Sequence, residues 1–187
     1  MGPALIIAGG ILLLILIWFV ASFNRMVRLR HHIKDSWADI DVELKRRYDL
    51  IPNLVETVKG YAKHEREVLE RVVQLRNQAM GNQGSAASQA KDENVMLHAL
   101  KSVFALSEGY PDLKADRHFL ELQQQLALTE DRIAAARRFF NGNVRDMRNL
   151  CEMFPTSIVA GMFSFKAPTY FELDNDAERI VPRVSVG

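Results

Sequence analysis

Charge is missing from residues 3–24, PALIIAGGILLLILIWFVASFN. Cysteine is nearly missing too: Cys151 stands alone, which excludes an internal disulfide and is compatible with a cytoplasmic location. Proline and glycine are scarce, at six and ten residues, and they cluster. Long stretches therefore contain no helix breaker. An excess of one charge sign is also lacking, because 24 basic residues face 23 acidic ones and leave a net charge of +1. Such a chain has no global field to draw nucleic acid, and no nucleic-acid partner is expected.

The motifs of common catalytic sites are absent as well. There is no glycine-rich phosphate loop, no Gly-x-Ser-x-Gly and no Cys-x-x-Cys. The histidines (His31, His32, His64, His98, His118) are scattered, and His64-Glu65 has no second histidine four residues on. Cys151 reads as a buried, inert thiol. Neither a catalytic residue, a cofactor nor a metal site is expected, and a scaffold ranks above an enzyme.

What the chain does have begins with that uncharged run. A helix rising about 1.5 Å per residue needs about 20 residues to cross a hydrocarbon core of roughly 30 Å. Residues 1–24 are thus expected to form a transmembrane anchor. A cleaved signal peptide needs a basic leading region and small residues at the cut, whereas here nothing basic precedes the run and Trp18, Phe19 and Phe23 crowd its end. Trp18 and Phe19 suit the interface, where aromatic rings gather. Arg25, Arg28, Arg30 and Lys34 follow without an intervening acid. They are placed against anionic headgroups at about 1 kcal/mol each. The positive flank puts the N-terminus outside and the domain in the cytoplasm. Gly9-Gly10 either lets two spans approach closely or, the preferred reading, is simply part of a stretch that dissolves in the bilayer.

Beyond the anchor, apolar residues recur at helical spacing. Ile33, Trp37, Ile40, Leu44, Tyr48, Ile51, Val55, Val58 and Ala62 step by three or four along one face. With no breaker between Gly10 and Pro52, the anchor runs straight into this helix as a stalk about 70 Å long. Pro52 interrupts the pattern while the stripe keeps its phase, so a kinked continuous helix and a short turn both fit. Pro52 and Asn53 are taken as a specified corner, with proline at the first helical position and asparagine as a cap. Residues 81–90 lack large apolar side chains and form the clearest loop. Phe119, Leu126, Ile133, Phe140, Met147 and Phe154 then recur every seven residues, with Leu122, Thr129, Ala136, Asn143 and Leu150 three on. That seam packs within the chain or against another copy.

The fold class is therefore all-α: a transmembrane helix continuing into an antiparallel four-helix-type bundle over 25–154, with helices at 25–51, 53–79, 92–107 and 113–154. A tail over 155–187 follows, too apolar for disorder: Ile158, Val159, Met162, Phe163, Phe165, Tyr170, Phe171, Ile180 and Val181. It must cover the bundle, meet a neighbouring subunit or touch the bilayer. Phe154, Pro155, Phe163, Phe165, Tyr170 and Phe171 are the candidate packing or oligomer contacts.

Two blocks carry a family resemblance. Residues 45–65, KRRYDLIPNLVETVKGYAKHE, resemble the signature of the LemA family of bacterial membrane proteins. From Ala136 to Phe171, Ala-Arg-Arg-Phe-Phe-Asn, Asn-x-Val-Arg-Asp, Phe-Pro and a closing Phe-x-Phe-Lys and Tyr-Phe-Glu resemble the family's C-terminal block, with Phe139-Phe140 where Tyr-Tyr is common. The resemblance implies one N-terminal span, a helical bundle, no catalytic activity and no cofactor. It implies partners in the bilayer and in copies of the same chain, and a scaffold that organises or remodels the bacterial inner membrane. The alternative is an adaptor for another inner-membrane protein, a protease or signalling partner.

Overall fold

The computed structural model of the chain describes residues 2–173. Six helices make up its regular structure: α1 (Gly2–Tyr61), α2 (Arg66–Gly81), α3 (Ala86–Ser107), α4 (Pro111–Lys114), α5 (Arg117–Glu152) and α6 (Thr156–Met162). Ile180 and Val181, with the rest of 174–187, lie outside the described residues.

α1 is one helix of 60 residues, about 90 Å long. It presents two kinds of surface. From Leu5 to Trp18 its large apolar side chains are exposed on every face, and none of the apolar window is covered by the rest of the protein. From Ser22 onward a single stripe is buried: Met26, Ile33, Ile40, Leu44, Ile51, Leu54 and Val58. The helix passes through Pro52 without ending, so the expected corner at Pro52 and Asn53 does not exist. Both residues are exposed on its outer side. Proline in a helix interior costs about 3 kcal/mol. Burying Ile51, Leu54, Val55 and Val58 at about 1.5–3 kcal/mol each outweighs that cost. The true reversal falls later, at residues 62–65, after Gly60 and where the apolar stripe lapses between Ala62 and Leu69. The expected helices at 25–51 and 53–79 are replaced accordingly by α1 and α2.

The expected loop at 81–90 shrinks to 82–85. Ser85 caps α3 by accepting from the Ser88 N–H at 3.2 Å. Gly84 lies so close to Ser88 that an added Cβ would sit 2.9 Å from its side chain. Small residues 86–90 join the helix because Gln89 and Ala90 are buried against it. α3 therefore begins six residues before the expected Asp92. The last long helix is likewise trimmed from 113–154 to 117–152. Asp116 is its N-cap, accepting from the Phe119 N–H at 2.9 Å, and the backbone turns extended at Met153.

α5 runs antiparallel to α1 over most of its length. Tyr61 meets Asp116, Arg47 meets Glu130, Trp37 meets Phe140 and Ser36 meets Asn143. The heptad seam thus closes within the chain: Phe119, Leu126, Ile133, Phe140 and Met147 are all buried. α2 folds back along α1 and α3 runs out again beside α2, where Gln78 donates to Asp92 at 2.9 Å. Four helices pack together only in the half of the bundle far from the apolar span. In the near half α1 and α5 stand as a pair, and the chain after α6 fills their groove. Phe171 is fully buried there, 5.7 Å from Trp37 ring to ring. Asn141 locks it, donating to the Phe171 carbonyl at 2.9 Å and accepting from its N–H at 3.0 Å.

Because α1 is continuous at Pro52, replacing Pro52 by Ala restores a hydrogen bond and removes a clash. Denaturant unfolding of Pro52→Ala in detergent is expected to show stabilisation of about 1–3 kcal/mol. A corner at this position would give the opposite sign.

Candidate functional site

Two regions hold the chemically distinctive side chains. The first is where α1 leaves its uncovered stretch. Trp18 is partly exposed and Phe19 partly covered. Arg25, Arg28, Arg30 and Lys34 are exposed and ring the helix just beyond. The α6 end packs onto this level: the Phe163 ring lies 6.0 Å from Phe19 and 4.6 Å from Phe23, and Phe165 lies 5.8 Å from Phe23. The Arg30 guanidinium sits 5.3 Å over the Phe165 ring, and Arg148 sits 4.4 Å over Tyr170. Such cation–ring contacts hold the arginines beside the aromatics.

The six candidate contact residues therefore divide. Phe165, Tyr170 and Phe171 pack on the bundle. Phe163 is half-exposed, Pro155 is exposed, and Phe154, at 81% exposure, has left the seam it was expected to continue. The helix stops two residues before it. Cys151 is partly covered, with its thiol 3.6 Å from the Phe165 carbonyl. Burial, then the Glu152 charge, pushes the thiol's pKa up, away from reactivity.

The second region was missed as a site by sequence reasoning. Lys45-Arg46-Arg47 is a run of three successive bases two to four residues after Glu43. Arg46 does pair with Glu43 at 3.1 Å, but Arg47 points inward and is fully buried. It binds Glu130 of α5 through both carboxylate oxygens at 2.9 Å and Glu93 of α3 through its second terminal nitrogen. Tyr48 donates its hydroxyl to the other oxygen of Glu93, and Gln89 donates to that same oxygen at 2.7 Å. Arg76 of α2 donates to the Tyr48 carbonyl at 3.0 Å. All four long helices of the distal bundle thus converge on one polar knot. The readable signal was phase: Arg47 falls on the stripe of Ile40, Leu44, Ile51 and Leu54, and Glu93 on that of Ala90, Met96, Leu97 and Leu100.

Electrostatics follow from this enclosure. Burial opposes the Arg47 charge, but Glu130 and Glu93 more than offset it, so the guanidinium is held charged more firmly than in water. Burial, then the Glu93 charge and hydrogen bond, holds the Tyr48 phenol well above its ordinary range. The Arg47 and Glu93 side chains have no solvent exposure. A group sealed in this way holds helices and cannot meet a substrate.

The sequence pattern of the LemA family matches residues 36–186. The chain belongs to the LemA family. It is also 24% identical over 142 residues to Protein LemA of Metamycoplasma hominis, a match spanning 76% of this chain and 65% of that relative. The chain thus covers a little under two thirds of the relative's length. On this LemA-family fold, the block at 45–65 supplies Arg47 and Tyr48 to the knot and Tyr61 to the bond with Asp116, at 2.8 Å. The block from Ala136 to Phe171 supplies Phe140, Asn141 and Phe171 to the packed groove.

Removing one partner from a buried ion pair leaves the others uncompensated. Arg47→Met is expected to cost about 3–5 kcal/mol in denaturant unfolding, and adding Glu93→Leu and Glu130→Leu should recover much of it. Tyr48 gives a pH signature. Its folded value is raised, so its stabilisation is complete below the unfolded phenol value of about 10 and is lost as pH climbs above that. The unfolding midpoint should fall above pH of about 10, and Tyr48→Phe should flatten that fall.

Proposed function

We propose that this chain is a membrane-anchored, homo-oligomeric helical scaffold that organises or remodels the bacterial inner membrane. Its domain lies on the cytoplasmic side with the N-terminus outside, as the basic flank Arg25, Arg28, Arg30 and Lys34 favours. The observation that carries the proposal is the unbroken α1. Its apolar span and its buried stripe belong to one helix with no joint between them. A bundle so attached cannot swivel freely. Contacts between neighbouring bundles then set the angle between neighbouring spans, and through them the shape of the bilayer.

Supporting this are apolar side chains on the outside of the bundle, Leu128 and Phe139, each more than half exposed. Gly9 and Gly10 have open space around them, which suits close approach of a second span. The cluster around Arg47, buried inside the fold, suits this mechanical role by tying the helices of the bundle together.

Imaging of the detergent-extracted full-length protein, with crosslinking in cells, is the test. Particles containing several copies, with spans gathered on one side, are expected. A monomer at all concentrations that stays uncrosslinked, or stoichiometric recovery with a different protein and no self-association, would overturn the scaffold.

A further inference from the structure

The near end of the bundle presents a second apolar surface. Met153, Phe154, Ile158, Met162 and Phe163 each expose between 48% and 81% of their surface. Single exposed apolar residues are ordinary, but five within eleven residues at one end of a bundle are not. They surround α6, whose inner face buries Val159 and Ala160. α6 is thus held to the bundle on one side and bare on the other.

Its level along α1 identifies what covers it. Phe163 touches Phe19 and Phe23. Those are among the last residues of the uncharged run, and Arg25 is the first charge. A hydrocarbon core of roughly 30 Å takes up about 20 residues of α1 from its start. Phe163 therefore stands where α1 emerges from lipid. Charge agrees: from Met153 to Phe171 there is no acid and one base, Lys166, while Arg25 and Arg28 are exposed nearby. An apolar face fringed by bases is the makeup of an interfacial element, which sinks about 5–10 Å into the headgroup and acyl boundary.

We propose that α6 and its flanking turns form an interfacial foot. Met153, Phe154, Ile158, Met162 and Phe163 dip into the same bilayer that α1 crosses. The foot presupposes α1 as a span. It gives each chain two attachments, a through-going one and a shallow one, and so fixes the bundle's tilt and displaces lipid in one leaflet only.

The test uses the full chain in phosphatidylcholine–phosphatidylglycerol vesicles. An environment-sensitive fluorophore is placed on Phe154→Cys or Met162→Cys in a Cys151→Ser background. Leu14→Cys serves as the span control and Val42→Cys as the solvent control. Blue-shifted emission at 154 and 162, lost when lipids carry nitroxides high on the acyl chain, is expected. The Leu14 label should be quenched by deep nitroxides and the Val42 label by neither. If Leu14 behaves so but 154 and 162 resemble Val42, the foot is wrong and the span stands. Blue shifts at 154 and 162 without lipid quenching would mean that protein covers the face, which also overturns the foot. An unquenched Leu14 label would remove the span and the foot together.

Discussion

One continuous helix carries two kinds of surface, bare and apolar on every side up to Trp18 and a single buried stripe from Ser22 on. Its first part is long and apolar enough to cross a membrane, and a helix satisfies its backbone groups internally, as hydrocarbon would require. Adding a residue to a formed helix costs far less than starting a new one. With no breaker from Gly10 to Pro52, α1 carries its hydrogen bonding from the bare span into the bundle. The other elements then take their positions by level along α1. α5 descends its face, α2 packs on its far half with α3 beside α2, and the chain after α6 covers its near half.

That division explains where the aromatic and charged side chains fall. The near half lacks two helices, and large rings fill their place: Trp37 meets Phe140 in a tilted pair and Phe171 of the tail edge to face. The far half has four helices, and at its inner boundary Arg47 joins α1, α3 and α5. A buried ion cluster adds little over apolar packing in net stability. What it does add is directional. Hydrogen bonds of set length and angle accept one sliding position between helices where apolar contact accepts several. The knot sits where α2 ends and α3 begins, with Gln89 donating both to Glu93 and to the Ala79 carbonyl. That is the place where slippage of the hairpin would start.

Much of this was legible in the residues themselves. The all-α class, the apolar segment, the α5 heptads and the family followed from period and motif. Pro52 misled because propensity counts a local cost, while the burial of Ile51, Leu54, Val55 and Val58 is a tertiary gain. Residues 86–90 misled likewise: small polar side chains look like a loop until Gln89 finds its partners across the fold. Arg47 was hidden by its neighbours Lys45 and Arg46, since three successive residues of a helix face three directions and only the phase of the stripe separates them.

The sequence by itself determined the anchor-length run, the stripes and the seam, because hydropathy and helical period act between residues close along the chain. Only the tertiary structure decided that the seam closes on α1 within one molecule, that Arg47 belongs to the core, and that the tail splits between a buried Phe171 and a bare Phe154. Each of these depends on which surfaces meet, and no local pattern records the partner on the other side.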